Sequence, residues 1–140
     1  MVKLKRVYDP ASPADGTRFL VERLWPRGVA KDKLQLTAWL KDVGPSTELR
    51  QWFGHDPEKW AQFRTRYFRE LDSRPESWEP ILSAARRGTV TLVYSSHDQQ
   101  HNNAVALKEY LEAKRRRPSS VRRSGAAARP GRAGSRTRRG

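Results

Sequence analysis

The sequence predicts an α/β domain: a small, mainly parallel sheet of three or more strands with helices packed on it, followed by a disordered basic tail. Three observations carry this. Residues Val90–Tyr94 (VTLVY) form a short apolar run rich in β-branched residues, the signature of a buried strand. Between that run and two earlier strand-like stretches lie segments with apolar residues at helical spacing. From Pro118 onward the chain is Ser, Arg, Ala, Gly and Pro, with one Val, one Thr and no aromatic residue, too little apolar surface to repay ordering.

Residues 2–9 alternate in the manner of a first strand and end at Asp9-Pro10. Residues 10–16 (PASPADG) are a loop by composition. A second strand is expected over 17–24 (TRFLVERL). Trp25-Pro26-Arg27-Gly28 closes it, because Pro26 denies the ladder a donor and Gly28 permits positive φ. Leu34, Leu36, Trp39 and Leu40 then suggest a short amphipathic segment, helical near 36–42.

Ser46 is placed to cap a helix whose stripe is Leu49, Trp52 and Phe53, with Gly54 ending it. Asp56-Pro57 opens the next helix, where Pro at the first position forfeits no bond, and Trp60, Phe63, Tyr67 and Leu71 form its inner face. Ser77 is the expected cap of a further helix burying Trp78, Ile81, Leu82 and Ala85, closed by Gly88. After the strand at 90–94, a last helix over about 98–114 turns Leu107, Tyr110 and Leu111 inward. The expected order is β, β, α, α, α, α, β, α, with the third strand parallel to the first and beside it through a long helical crossover.

The net charge of +14 is unevenly spread. Residues 1–113 hold 18 Lys/Arg and 15 Asp/Glu; residues 114–140 hold 11 Lys/Arg and no acid. The division is therefore one domain over 1–113 and an Arg-rich tail over 114–140. The absence of Cys excludes disulfides, thiol catalysis and Cys-ligated zinc. The N-terminus lacks the apolar core of a signal peptide, and no stretch has the length of a membrane span, so a cytoplasmic protein without a membrane partner is expected.

The opening KLKRVYDP, the run RFLVERLWPRG, the stretch AWLKDVGPSTELRQWFGHDPEKWAQFRTRYFREL and GTVTLVYSSHDQQHNNAVALKEYL together resemble the DUF488 family, and most closely its short, YeaO-like branch of bacterial cytoplasmic proteins. The resemblance covers residues 3–111. It implies a compact cytosolic α/β domain with polar positions around Arg23, Arg27, Asp98, His101 and Asn102, and brings no particular reaction with it. Two departures stand out: Glu22 occupies the position where the family leads one to expect Asp, and the Arg-rich tail lies outside the family's usual extent.

Two stretches can carry chemistry. The first is the polar run after the strand at 90–94, since ligands of α/β sheets gather where strands end and helices begin. There Asp98 would cap the helix, and His101, Asn102 and Asn103 would face a ligand. His101 with Asp98 is the candidate catalytic pair, for proton transfer or orientation. The same residues also suit capping alone. The second is the turn holding Arg23, Trp25 and Arg27, where two guanidinium groups beside an aromatic wall would clamp a phosphate or carboxylate. Ser95 and Ser96 lack the elbow and third member of a serine hydrolase. His97 and His101 are four apart with Asp98 between them, but residue 97 falls before the expected helix, so neither a metal nor a cofactor is expected.

The leading expectation is a domain that binds an anionic small molecule, such as a phosphorylated metabolite or nucleotide; whether it also transforms that molecule stays open. The alternative is a nucleic-acid-associated protein that uses residues 114–140 as a nonspecific electrostatic arm, without catalysis.

Overall fold

The computed structural model describes residues 1–116. Four strands form one parallel sheet: β1 (Val2–Arg6), β2 (Thr17–Leu20), β3 (Ala38–Trp39) and β4 (Val90–Tyr94), in the spatial order β1-β4-β2-β3. Five helices accompany it: α1 (Lys31–Leu34), α2 (Thr47–Phe53), α3 (Trp60–Asp72), α4 (Pro75–Arg87) and α5 (Asn103–Arg116). As expected, β4 lies beside β1 and parallel to it, with Val2 opposite Val90 and Arg6 opposite Tyr94. It also pairs with β2, Thr17 opposite Val90, so β4 is central and all five of its residues are buried.

The two faces of the sheet are covered differently. Val90, Leu92 and Tyr94 point toward α2–α5, where Phe53, Phe63, Tyr67, Ile81, Leu107 and Leu111 complete the larger core. Val93, with Val7 and Leu20, faces a smaller cluster closed by Leu34 and the half-buried Trp25 and Trp39. One face thus rests on four helices and the other on the irregular segment between β2 and β3. Arg18, 4% exposed, ties that segment down: its Nε and Nη2 donate to the Leu34 carbonyl at 3.0 and 2.7 Å, and Nη1 donates to Asp15 Oδ2 at 2.7 Å.

Several boundaries differ from the sequence reading. The first strand ends at Arg6, because Asp9 N–H turns back to the Arg6 carbonyl. The second ends at Leu20, not residue 24. One further ladder bond, Val21 N–H to the Val93 carbonyl, follows, and then the Ser95 N–H is taken by the Glu22 carboxylate. The helix expected near 36–42 is instead the edge strand β3: Thr37 N–H donates to the Arg18 carbonyl and Leu40 N–H to the Leu20 carbonyl, so pairing overrides the local amphipathic pattern.

Ser46 caps α2 through Leu49 N–H and Gly54 ends it at φ 54°, as expected. Asp56 and Pro57 open a 3-10 turn that leads into α3. Helix α4 starts at Pro75 rather than at a Ser77 cap; Ser77 Oγ donates back to the Arg74 carbonyl, and the exposed Pro80 lies inside the helix. Helix α5 starts at Asn103, where Asn102 Oδ1 accepts the Val105 N–H and so takes the capping place expected of Asp98. It continues to Arg116, and the basic tail beyond it lies outside the described residues.

Candidate functional site

At the C-terminal ends of the adjacent strands β2 and β4 the chain leaves a cavity of about 320 Å³, in the lower range of small-molecule sites. This is where a parallel sheet leaves its strand-end loops free to line a pocket. The segment after β2 supplies Glu22, Arg23, Trp25 and Arg27. The segment after β4 supplies Ser95 and Ser96, and the start of α5 supplies Asn102 and Asn103. Helix α2 and its end contribute Arg50, Phe53 and His55, and α3 contributes Phe63.

The two stretches singled out in the sequence therefore meet, but not all of their residues do. Arg23, Trp25, Arg27, Asn102 and Asn103 line one cavity; Asp98 and His101 are not among its lining. Asp98 caps the turn before α5: its Oδ1 accepts the Gln100 and His101 N–H groups, both at 2.9 Å. Its Oδ2 lies 3.0 Å from His101 Nδ1. The Gln100 N–H bond leads in holding the Asp98 carboxyl below the usual range; partial burial opposes it, and His101 helps. The His101 ring meets Trp60 edge-on at 5.3 Å. The pair is an oriented Asp–His dyad next to the cavity wall, not in it.

The asparagines line the cavity with polar groups already engaged. Asn102 is 3% exposed; its Oδ1 caps α5 and its Nδ2 donates to the Asp98 carbonyl at 2.8 Å. Asn103 Nδ2 donates to the Val21 carbonyl at 2.7 Å, tying the start of α5 to the end of β2. Both shape the wall, Asn102 through the cap of α5 and Asn103 through its bond to the end of β2.

The arginines differ in freedom. Arg23 Nε donates to the Pro45 carbonyl at 2.8 Å, and its Nη1 stands 4.0 Å from Asp42 Oδ1. Arg27 and Arg50 are exposed, and their guanidinium groups have no hydrogen bond or ion pair with another described residue. The turn that presents Arg27 is braced by Trp25, whose Nε1 donates to the Val29 carbonyl at 2.7 Å and whose ring packs edge-on against Trp39 at 5.3 Å. Gly28 follows at φ 75°, a conformation costly for a side-chain-bearing residue.

Glu22 is the acid of the cavity. Ser95 N–H donates to its Oε2 and Ser95 Oγ to its Oε1, both at 2.8 Å. Loss of water around the carboxylate raises its pKa, and the Ser95 bonds and the charges of Arg50 and His55 only partly offset this. Stacked Phe53 and Phe63, with ring centroids 4.4 Å apart, are an apolar part of the lining. His55 adopts φ 58°, a left-handed conformation that costs a non-glycine residue about 1–3 kcal/mol.

Arg50, His55 and the role of Glu22 escaped the sequence reading. Arg50 sits on the exposed side of an amphipathic helix, where an Arg is usually only solvated. His55 reads as a loop residue. Glu22 reads in the sequence as a departure from the expected Asp, or as an ion-pair partner for an Arg of the same turn. For Glu22 the available signal is its place immediately before Arg23; for the other two no local signal exists. Among the described residues no cluster of three or more His, Asp or Glu is placed to hold a metal, and no helix is long and apolar enough to cross a membrane.

A family model described as "Inactive DUF488-N3 subclade" matches residues 1–129. "Uncharacterized protein YeaO" of Escherichia coli (strain K12) is 40% identical over 112 residues, covering 80% of this chain and 97% of the relative. "Uncharacterized protein Mb3100c" of Mycobacterium bovis and "Uncharacterized protein Rv3073c" of Mycobacterium tuberculosis (strain H37Rv) are each 37% identical over 113 residues, covering 81% of this chain and 95% of their own. No solved structure matches the chain.

Proposed function

We propose that this chain, which belongs to the DUF488 family in its YeaO-like branch, binds a small anionic molecule in the cavity at the ends of β2 and β4. One observation carries the reading. Arg23, Arg27 and Arg50 come from two separate segments of the chain to line a single cavity, and the guanidinium groups of Arg27 and Arg50 have no ion pair among the described residues. Guanidinium groups converging on one concavity suit a phosphate or carboxylate, which they can hold through paired N–H donors.

Binding is favoured over transformation. The Asp98–His101 dyad, the best-oriented proton-transfer pair, is not part of the cavity lining. The matching family model is described as inactive. The test is a thermal-shift and calorimetric screen with sulfate, phosphate, nucleotides and sugar phosphates, on the wild type and on an Arg27→Ala, Arg50→Ala double variant. Stabilisation of the wild type alone is the expected result; equal response of both proteins, or of neither, defeats the reading.

A further inference from the structure

An unpaired carboxylate is out of place in a site for a simple anion. Glu22 shares its cavity with three arginines, yet among the described residues it has no ion-pair partner. It is held instead by the Ser95 N–H and hydroxyl, one bond to each oxygen. A carboxylate has about four acceptor positions, so one on each oxygen is left for a ligand. Glu22 is thus a fixed acceptor rather than a floating counter-charge for the arginines.

The surroundings of Glu22 suit a positive group. Phe53, Phe63 and Trp25 line the same cavity, and aromatic rings attract an ammonium held near their faces. A cavity lined by this carboxylate, by aromatic rings and by guanidinium groups without an ion pair among the described residues is complementary to a molecule charged at both ends.

From this geometry we infer that the ligand is an amino-anion: a small molecule bearing an ammonium group, received by Glu22 and the aromatic lining, and a phosphate or carboxylate, received by Arg27 and Arg50. Glu22 is then the specificity-determining residue, since an anion without the amine leaves that carboxylate unpaired and repelling it. The inference rests on the anion-binding reading above and narrows it. Desolvation of the unpaired carboxylate fits the same picture, because the amine would supply the missing partner.

Matched probes test it. Isothermal titration would compare O-phosphoethanolamine with ethyl phosphate, and β-alanine with propionate, on the full chain and on Glu22→Gln. In the wild type the amine-bearing member of at least one pair is expected to bind about tenfold more tightly than its amine-free counterpart. Which pair shows the larger gap tells phosphate from carboxylate. In Glu22→Gln the gap should close while the amine-free probe still binds, which also shows that the variant's site is folded. Equal affinities within both pairs, or a gap that survives in Glu22→Gln, overturn the amino-anion inference and leave the anion reading standing. If none of the four probes binds the wild type, the amino-anion inference falls, and the anion reading falls with it when phosphate, nucleotides and sugar phosphates also fail to bind.

Discussion

Ser95 holds Glu22 by two hydrogen bonds of 2.8 Å, one from its backbone N–H and one from its hydroxyl. The bond from the N–H takes the place of the next rung of the β2–β4 ladder, so the pairing of the strands stops where the cavity begins. A side-chain acceptor thus ends the pairing of two inner strands and shapes a site in one step.

The first prediction concerns pH. Burial, the leading cause, raises the folded pKa of Glu22 above the ordinary glutamate value of 4.5. The folded chain therefore binds this proton more tightly than the unfolded chain, and ionising Glu22 costs stability. The cost is fully present above the folded pKa and is relieved as pH falls through it toward the ordinary value. Glu22→Gln does not titrate. Wild-type stability measured relative to Glu22→Gln by chemical denaturation should rise between about pH 7 and about pH 4. A difference that does not change with pH would show that Glu22 is not desolvated as described.

Asp15 should behave in the opposite sense. Burial alone would raise its pKa, but hydrogen bonds from Lys5, the Ser12 N–H and Arg18 together hold it below the usual range. Its contribution to stability is present above the ordinary aspartate value and is lost as pH falls through the folded one. Asp15 is 1% exposed and Arg18 4%, so Asp15→Ala would leave a buried guanidinium without its counter-charge. A loss of about 3 kcal/mol or more in urea denaturation is expected; a loss under about 1 kcal/mol, the range of surface pairs, would contradict this account.

Arg27 and Arg50 should separate binding from folding. Both are exposed and neither side chain bonds to another described residue, so each Ala variant should unfold within about 0.5 kcal/mol of the wild type. Each should nevertheless weaken binding of an anionic ligand by about tenfold, as expected for one charge-assisted contact. Melting curves and ligand titrations on the same samples would check both halves. An affinity unchanged by either substitution would remove the arginines from the site.

Gly16 is required by a close approach. It has φ 65°, and a Cβ there would lie 2.2 Å from the Thr89 carbonyl oxygen. That carbonyl accepts the Thr17 N–H at the start of β2, so the backbone cannot yield without breaking the strand pair. Gly16→Ala should cost well over about 1 kcal/mol, outweighing the gain that the same change brings where the backbone can accept it. Near-wild-type stability would mean that this turn can relax.

The parts of the fold that were legible are those whose signal is local. Ser46 and Gly54 bound α2, and Gly88 closes α4, because caps act within a few residues. Val90–Tyr94 was identified as a buried strand because a central strand is apolar on both faces. Residues 36–42 misled, since an edge strand of two residues leaves no period to read and its bonds go to Arg18 and Leu20. Asp98 misled differently: it does cap, but a turn of its own, and Asn102 four residues on takes the helix.

The amino-acid order alone was enough for the α/β class, for a parallel pairing of the first and last strands, and for two polar stretches where a ligand could sit. Those follow from periodicity, capping and the rule that parallel sheets open at their strand ends. Which residues share the cavity was decided by packing. β4 inserted between β1 and β2, and that brought Ser95 to Glu22 and Asn103 to the end of β2. Helix α2 carried Arg50 to the same place from a stretch with no mark of function, while the turn capped by Asp98 kept His101 against Trp60 and out of the cavity lining. Convergence of residues far apart in the chain depends on how whole elements stack, and no window of sequence contains that information.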